Sequence, residues 1–486
     1  MSADQHEIEA LRRDADWRDV QVVVAGIGVA GFAAADALLS LGARVTAVDA
    51  GDGPRQQERA QVLDALGATV RLGDGDSLPA GSDLLVVSPG LPPRAPIITA
   101  AQAAGLPVWG ELELAWRLRP EGAAPWLVIT GTNGKTTTTL MLESILRAAG
   151  LRTVAAGNIG VSMVEVVMAE ATPEGALDAI AVEVGAPQLP FLHSMSPQAS
   201  VCLNIAEDHV DLFGSMAAYV EAKARIYERT QVAAVYNVAD EVTLQMVQAA
   251  EVVEGCRAIG FTLGVPDISM LGVVEDVLVD RAFIANRREA AQELAELADV
   301  RPAAPHNVAN ALAAAALARA HGVPAAAVRD GLRAFTPAAH RIADVGTVAG
   351  VRYVDDSKAT NCHAAQTSLL AYDRVVWIAG GLAKGQSFDD LIVATRSHMV
   401  GVVLLGVDRD VIAEALARHA PDLPIVAVPR TDTGAMAEVV AAAAAMARPG
   451  DTVLLAPGCA SWDMYRDYAQ RGDQFAEAVA ALQEGT

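Results

Sequence analysis

The sequence predicts an α/β protein of three domains: a Rossmann-like first domain, a P-loop-type central domain and a Rossmann-like third domain. Short apolar strands alternate with helical stretches along most of the chain, which is typical of doubly wound parallel sheets. Two glycine-rich turns, at 26–31 and 131–134, each join a strand to a helix. The 486 residues correspond to about three domains at roughly 150 residues each. We expect the domains at 1–113, 114–339 and 340–486.

The first domain opens with a Rossmann-type pattern. A strand at 20–25 leads into Gly26-Ile-Gly28-Val-Ala-Gly31 and a helix, and the next strand, at 44–48, ends at Asp49. This pattern suits a dinucleotide, but the same glycines fit any tight turn that faces a nucleotide diphosphate. Gly28 and Asp49 are therefore candidate ligand contacts. Further strands are expected at 84–88 and 107–109, with a connection at 110–125.

The second domain carries the most specific signal of the chain, WLVITGTNGKTTTT, which begins at Trp126. Backbone N–H groups and a helix N-terminus can cradle a polyphosphate here, Lys135 can reach the terminal phosphates, and the Thr136 hydroxyl can ligate magnesium. Ile129 stands where the usual P-loop has glycine, and a plain turn before a helix is the alternative. The predicted ATP-binding residues of the turn are Gly131, Thr132, Asn133, Gly134, Lys135, Thr136 and Thr137.

The remaining elements follow the same alternation. In the second domain, strands are expected at 177–184, 199–204 and 233–237, an irregular surface insertion at 263–299, and an alanine-rich helix from Pro305 to near Gly322. In the third domain, strands are expected at 374–378, 401–405, 424–428 and 452–455.

Two polar positions should meet the phosphate-binding turn. Glu183 ends a strand, and His209 follows the next strand within NIAEDHVD. Because the carboxyl ends of parallel strands share one edge of the sheet, both side chains could bind a magnesium ion near the phosphates. A helix cap is the alternative for this cluster. Lys223 follows in AAYVEAKARIYE.

Charge and composition exclude some classes. The net charge of −23 argues against nucleic acid, which basic surfaces recognise, while magnesium and a few cations still permit an anionic substrate. The four cysteines are far apart and form no CxxC pair, which favours reduced thiols in the cytoplasm and implies no zinc site. No signal peptide or long apolar run is present, so we expect no membrane insertion.

Taken together, the motifs resemble those of the Mur ligase family over essentially the whole chain, and most closely those of its D-glutamate-adding members. The matching pieces are GIGVAG, SPGLPPRAP, GTNGKTTT, GNIG at 157–160, NIAEDHVD, AKARIY, HNVANALAA, HR at 340–341, DDSKATN at 355–361, GGLAKG at 380–385 and APGCASWDMYRDYAQRGDQF at 456–475.

The resemblance implies an ATP-dependent ligase that adds D-glutamate to UDP-N-acetylmuramoyl-L-alanine through an acyl phosphate, in cytoplasmic peptidoglycan precursor synthesis. It implies small-molecule partners only, a monomer, ATP and two magnesium ions as cofactors, and closure of the third domain over the second. The first domain would bind the UDP end of the acceptor.

The resemblance also assigns residues. Lys135, His209 and Lys223 would be catalytic, with Lys223 carbamylated, and Thr136, Glu183, His209 and Lys223 would hold the metals. Carbamylation needs a neutral amine, which burial favours. Further ATP contacts would be Asn310, Arg341, Asp356 and Lys358, and substrate contacts would be Gly28, Asp49, Asn158, Gln188, Thr360, Lys384, Ser461, Trp462 and Tyr468. Some of these residues could instead have roles that involve no ligand: Asn310 could cap a helix, Lys384 could be solvated, and Trp462 and Tyr468 could serve in packing.

The chain also departs from the family pattern. Gly185-Ala186-Pro187 replaces the usual Ser-Ser-Phe, Ala30 replaces a hydroxyl residue in the first turn, and Ala343 replaces an expected Glu. These changes leave open a diverged Mur-type ligase with another amino acid, such as L-glutamate, or another acceptor. Three further classes fit the sequence less well. A folylpolyglutamate synthetase would lack the first domain, a nicotinamide dehydrogenase leaves the phosphate loop unexplained, and a non-catalytic scaffold would not need Lys135, Glu183, His209 and Lys223 together.

Overall fold

The computed structural model describes residues 5–208 and 210–484, which divide into two compact units. Unit 1 takes its residues from 1–303 and 307–335, and unit 2 from 304–306 and 336–486. Among the described residues, no helix is both long enough and apolar enough to cross a membrane.

Unit 1 contains two sheets, and the first is an all-parallel sheet in the order β3-β2-β1-β4-β5. Strands β1 and β4 are apolar runs buried on both faces, as central parallel strands require. The chain reverses its winding direction between them, which is where such sheets bind ligands. The elements are α1 Gln5–Ala10, β1 Gln21–Ala25, α2 Val29–Ser40, β2 Arg44–Asp49, α3 Pro54–Ala65, β3 Thr69–Leu72, β4 Leu84–Val87, α4 Pro96–Ala103, β5 Val108–Gly110 and α5 Glu111–Arg117.

The second sheet of unit 1 has nine strands in the order β14-β13-β12-β11-β10-β9-β6-β8-β7. Its elements are β6 Trp126–Thr130, α6 Lys135–Ala148, β7 Thr153–Gly157, α7 Met163–Ala169, β8 Ala179–Glu183, β9 Ala199–Cys202, α8 Val210–Phe213, α9 Met216–Ala224, β10 Ala233–Asn237, α10 Glu241–Ala249, β11 Arg257–Phe261, β12 Met270–Val274, β13 Val277–Asp280, β14 Gln292–Glu296, α11 Pro305–Ala320 and α12 Ala325–Ala334. Short 3₁₀ turns lie at Pro173–Gly175, Ala186–Phe191, Arg225–Tyr227 and Leu297–Asp299.

The expectation of an irregular insertion at 263–299 is wrong. Strands β12, β13 and β14 lie there: β12 pairs in parallel with β11, and β13 and β14 extend the nine-stranded sheet by antiparallel pairing. They bury Leu271, Leu278 and Leu294 in the same core as α11. Each strand has only four or five residues, too few to show a clear alternation in the sequence. The expected connection at 110–125 likewise contains helix α5.

Unit 2 forms one six-stranded sheet in the order β15-β16-β20-β17-β18-β19. The four predicted strands are present as β17, β18, β19 and β20, and they pair in parallel. The sequence pattern did not predict the antiparallel hairpin β15–β16 at one edge. The elements are β15 Ala343–Val348, β16 Val351–Asp355, α13 Cys362–Leu369, β17 Val375–Gly380, α14 Asp389–Thr395, β18 Met399–Leu405, α15 Arg409–His419, β19 Ile425–Ala427, α16 Ala435–Met446, β20 Thr452–Leu455 and α17 Tyr468–Glu484.

Close helix packing in unit 1 depends on one glycine. A Cβ added to Gly331 in α12 would lie less than 3.0 Å from backbone atoms of Ile145 in α6. The Ser144 hydroxyl of α6 donates to the Gly331 carbonyl at 2.7 Å, which fixes this approach. Helix α12 therefore lies directly on the backbone of α6, the helix that follows the glycine turn at 131–134.

Gly331→Ala should destabilise the protein. Alanine gains about 1 kcal/mol of helix propensity over glycine, but the clash should cost about 3 kcal/mol, the upper end of the usual range for overpacking, because the α6 backbone cannot rotate away as a side chain can. Urea denaturation should therefore show a lower unfolding midpoint. Gly90→Ala is the matched control, because its Cβ would meet nothing within 4 Å. A Gly331→Ala protein as stable as wild type would contradict the close packing.

Candidate active site

The turn between β6 and α6 has the shape of a phosphate cradle. Gly131 and Gly134 have φ values of +153° and +85°, in the region where a side chain is disfavoured. A Cβ on Gly134 would also lie within 3.0 Å of the Asn310 amide oxygen. Asn310, in the second turn of α11, thus packs directly against the turn.

A second asparagine holds the turn from the other side. The Asn204 amide oxygen accepts from the Asn133 backbone N–H at 2.9 Å, and its amide nitrogen donates to the Asn133 carbonyl at 3.1 Å. The Asn204 carbonyl accepts from the Thr132 N–H. Sequence reasoning did not select Asn204, although it opens the NIAEDHVD motif.

Lys135 lies over the turn. Its ammonium nitrogen donates to the carbonyls of Gly131 at 2.8 Å and Thr132 at 2.9 Å. This arrangement places a cation at the N-terminus of α6, where the backbone N–H groups already favour negative charge.

Thr136 and Glu183 meet, as the sheet-edge argument expected. The Thr136 hydroxyl donates to one oxygen of the Glu183 carboxylate at 2.7 Å, and the Asn158 amide donates to the other at 2.8 Å. Glu183 is only 2% exposed. A hydroxyl and a carboxylate are hard oxygen donors that suit magnesium, so these residues fit the expected ion.

His209, the other predicted magnesium ligand, lies outside the described residues. Within 5–208 and 210–484, no three His, Cys, Asp or Glu side chains gather in a way that could hold a metal. Thr136 and Glu183 are the predicted ligands whose contact the structure describes.

Lys223 is buried behind the turn. Its ammonium nitrogen donates to the Thr130 hydroxyl at 3.2 Å and the Gly131 carbonyl at 3.0 Å, and it lies 5.0 Å from the centroid of the Tyr219 ring. Burial, assisted by repulsion from Lys135, lowers the pKa of Lys223 to about 7. At neutral pH, Lys223 is therefore a neutral amine in a large fraction of the protein molecules.

Tyr219 is a second residue that sequence reasoning missed. Its hydroxyl shares a 3.0 Å hydrogen bond with the Thr132 hydroxyl, so the same ring borders Lys223 and holds the phosphate-binding turn. Tyr219 lies one helical turn before Lys223 in the AAYVEAK segment, and this spacing could have indicated that the two side chains are neighbours.

The departing segment at Gly185 has its own internal hydrogen bond. The Gly185 N–H donates to the Gln188 amide oxygen at 2.8 Å, while the buried Gln188 amide nitrogen has no partner among the described residues. A Cβ on Gly185 would lie 2.9 Å from the Asn158 amide oxygen. Glycine at 185 thus leaves room for Asn158 to reach Glu183.

In the first sheet, Asp49 supports the glycine turn. One oxygen of its carboxylate accepts from the Ile27 N–H at 2.8 Å and the other from the Gly51 N–H at 2.8 Å. Gly28 is the N-cap residue of α2. Asp49 therefore has a clear role in shaping the turn, and this role is compatible with contact to a nucleotide.

In unit 2, two predicted lysines each lie over an aromatic ring. The Lys358 nitrogen is 4.1 Å from the Tyr468 ring centroid, and the Lys384 nitrogen is 4.2 Å from that of Trp462. The Thr360 N–H donates to the Lys358 carbonyl at 2.8 Å, and Ser461, next to Trp462 in the chain, is buried.

Ionic side chains hold the segments next to Lys358 and Ser461. Arg471, which sequence reasoning missed, is 1% exposed and donates to the Ser357 hydroxyl and carbonyl and to the Cys459 carbonyl. Burial raises the pKa of Asp356 to about 6, although Arg341 opposes the shift. His340 bonds Asp355 at 2.6 Å, which raises the pKa of the histidine.

Family comparisons agree with this architecture. Three family descriptions match successive parts of the chain: "Mur ligase MurD-like, N-terminal domain" at 20–110, "Mur ligase middle domain" at 129–318 and "Mur ligase, glutamate ligase domain" at 340–459. The chain belongs to the Mur ligase family, and the predicted α/β fold of three domains is confirmed.

Relatives match over nearly the full length. The UDP-N-acetylmuramoylalanine–D-glutamate ligase of Streptomyces avermitilis is 60% identical and that of Thermobifida fusca 53% identical, each covering 96% of this chain and 99% of its own. The enzyme of that name from Mycolicibacterium smegmatis is 43% identical over 95% of this chain and 96% of its own.

Solved structures show the same fold. UDP-N-acetylmuramate–alanine ligase MurC from Thermotoga maritima aligns with a TM-score of 0.54 at 20% identity, covering 95% of this chain and 99% of its own. A pseudomurein peptide ligase type C from Methanothermus fervidus gives 0.56 at 17% identity, covering 96% and 100%.

Gly185→Ser should impair the site, even though serine is the residue usual in the family. Its Cβ would lie 2.9 Å from the Asn158 amide oxygen and should displace that amide from Glu183. Loss of a hydrogen bond to a buried charge should cost about 1.5–3 kcal/mol of stability, measured by urea denaturation. The cost should be smaller when Asn158→Ala is also present. An equal cost in both backgrounds would show that Asn158 is not what the serine displaces.

Proposed function

We propose that this protein is an ATP-dependent acid–amino-acid ligase that adds D-glutamate to UDP-N-acetylmuramoyl-L-alanine, in cytoplasmic peptidoglycan precursor synthesis. The proposed ATP chemistry rests on one observation. The Thr136 hydroxyl bonds the Glu183 carboxylate at 2.7 Å, next in the chain to Lys135 and directly after the glycine turn. The 60% identity to a ligase of that name supports the choice of substrates.

The turn at 131–137 would bind the ATP phosphates. Lys135 donates to two backbone carbonyls, which it would exchange for phosphate oxygens when ATP arrives. Asn310, packed against Gly134, would keep the turn in shape and contact the nucleotide. We place the functional domains at 1–113, 114–339 and 340–486.

Thr136, Glu183 and His209 would hold magnesium, together with a carbamylated Lys223 where two ions are bound. The ions would supply positive charge to the phosphate oxygens during transfer. Glu183 would bring a carboxylate already aligned by Asn158 and Thr136.

Gly28 and Asp49 would contact the UDP end of the acceptor, and Asn158 and Gln188 its sugar and peptide portion. The Gln188 amide nitrogen, buried without a partner among the described residues, has a donor available for such a ligand. In unit 2, Arg341, Asp356 and Lys358 would contact ATP, and Thr360, Lys384, Ser461, Trp462 and Tyr468 would surround the amino acid.

The reaction would proceed in two steps. The acceptor carboxylate attacks the γ-phosphorus of ATP, and the bond from that phosphorus to the bridging oxygen breaks. ADP departs, and the acceptor is now an acyl phosphate. The amine of D-glutamate then attacks the acyl carbon, loses a proton, and phosphate departs as the amide forms. Lys135 would stabilise the charge on the transferred group, and bound geometry would supply much of the remaining rate.

A diverged ligase is the second candidate, and Gly185-Ala186-Pro187 favours it. The missing hydroxyls would alter contacts to the acceptor or its amino acid. We propose a monomer that acts on small molecules, with no nucleic-acid partner.

Phosphate release from ATP tests the function directly. With UDP-N-acetylmuramoyl-L-alanine present, release should require D-glutamate and should not respond to L-glutamate. Lys135→Ala should lower kcat by at least about a hundredfold, the typical cost of losing one preorganised charge-stabilising group, while urea denaturation stays unchanged. Turnover with L-glutamate alone would support the diverged ligase, and near-normal release by Lys135→Ala would refute the role of the turn.

Carbamylation of Lys223 should increase between about pH 6 and about pH 8. Its pKa is lowered to about 7, so the neutral amine that reacts with CO₂ grows across this window and then levels off. Carbon-13 NMR with labelled bicarbonate should show one carbamate signal that Lys223→Met removes. A signal that persists in Lys223→Met, or none in the wild type, would contradict the proposal.

A further inference from the structure

Two loops of unit 2 are joined by a small backbone bridge. The Leu382 N–H donates to the Ala460 carbonyl at 2.8 Å, and the Ala460 N–H donates back to Leu382 at 3.0 Å. Gly381, with φ of +133°, has no room for a side chain, because a Cβ there would lie within 3.0 Å of the Ala460 carbonyl. The bridge therefore fixes the separation between residues 384 and 462, each two positions further along its loop.

Lys384 is held in an unusual conformation at this place. Its φ of +52° lies in the left-handed region, which residues with a Cβ seldom adopt and which tends to persist only where the surroundings impose it. The Ala383 N–H beside it donates to the Asp408 carboxylate at 2.8 Å, which anchors the loop. This backbone directs the lysine toward the ring of Trp462.

Trp462 is exposed in a way that packing does not explain. Its relative exposure is 66%, whereas Trp17, Trp109, Trp126 and Trp377 are fully buried. The Lys384 nitrogen lies 4.2 Å from its ring centroid, within the range of a cation–π contact. An exposed lysine normally samples many rotamers, and in this structure the Lys384 side chain takes the one that places its ammonium over the ring.

We propose that Trp462 is a positioning residue that holds the Lys384 ammonium ready for the side-chain carboxylate of a dicarboxylic amino acid. The ammonium would meet the ring on one side and the carboxylate on the other. This inference rests on the proposed function in assigning an amino acid to Lys384, but it gives Trp462 a role that acts through the lysine.

A double-mutant cycle separates this role from direct contact or packing. Trp462→Leu should raise the KM for the amino acid about two- to fivefold, the size of an exposed cation–π contact. Its kcat and its KM for ATP should stay unchanged, and Trp462→Phe should recover most of the loss. In a Lys384→Met background, Trp462→Leu should have no further effect on that KM. Equal effects in both backgrounds would overturn the proposal.

Tryptophan fluorescence tests the pair without any substrate. The difference between the emission of wild type and Trp462→Phe isolates this ring, and Lys384→Met should shift it by removing the nearby charge. An unchanged difference spectrum would overturn the proposal whatever the activity. If the spectrum shifts and the enzyme uses another dicarboxylic amino acid, the pairing stands and only the choice of D-glutamate falls. The cycle is then measured with that amino acid.

Discussion

The left-handed turn after β6 is the constraint on which the site depends. Gly134 adopts its φ of +85° without strain because it has no side chain, and the space that a Cβ would need is taken by Asn310. That contact fixes where α6 begins, and the start of α6 in turn sets the positions of Lys135 and Thr136. From there Thr136 reaches Glu183 at the end of a neighbouring strand. One backbone conformation thus sets the positions of the Lys135 ammonium and of the Thr136–Glu183 pair.

Burial of charge is the cost of this arrangement. Lys223 and Arg471 are almost wholly inside the protein, and a buried charge is costly unless its hydrogen bonds are met. Arg471 meets them with three carbonyl and hydroxyl oxygens, so it stays charged and acts as a brace between loops. Burial lowers the pKa of both groups, to about 10 for Arg471 and to about 7 for Lys223, which has two acceptors at 3.0 and 3.2 Å. At neutral pH the same physical penalty therefore leaves Arg471 charged and Lys223 partly neutral.

The sequence predicted most of the architecture because the signals were local. A strand, a glycine turn and a helix are adjacent in the chain, so the turn at Gly131 and Gly134 was evident without knowledge of tertiary contacts. The position of Glu183 beside the turn followed from the rule that parallel strands end at one edge of a sheet. The sequence pattern did not predict strands β12 to β14 or the hairpin β15–β16, because such short strands are defined by the strands with which they pair. The roles of Asn204, Tyr219 and Arg471 were not predicted for a related reason. Each contacts residues that are distant in the chain, and its residue type alone does not show which residues those are.

The alanine-rich helix α11 offers a different perspective on the same site. Residues 311–318 are fully buried, six of the eight are alanine, and the side chains on every face of this stretch are enclosed. Such a helix works as a spacer of defined thickness, because its small side chains set how closely its axis can approach the sheet. Asn310 stands at the start of this spacer, so its distance from Gly134 is set by the width of alanine methyl groups. Enlarging those methyl groups would therefore shift Asn310 relative to the glycine turn from within the core, without any change to the turn itself.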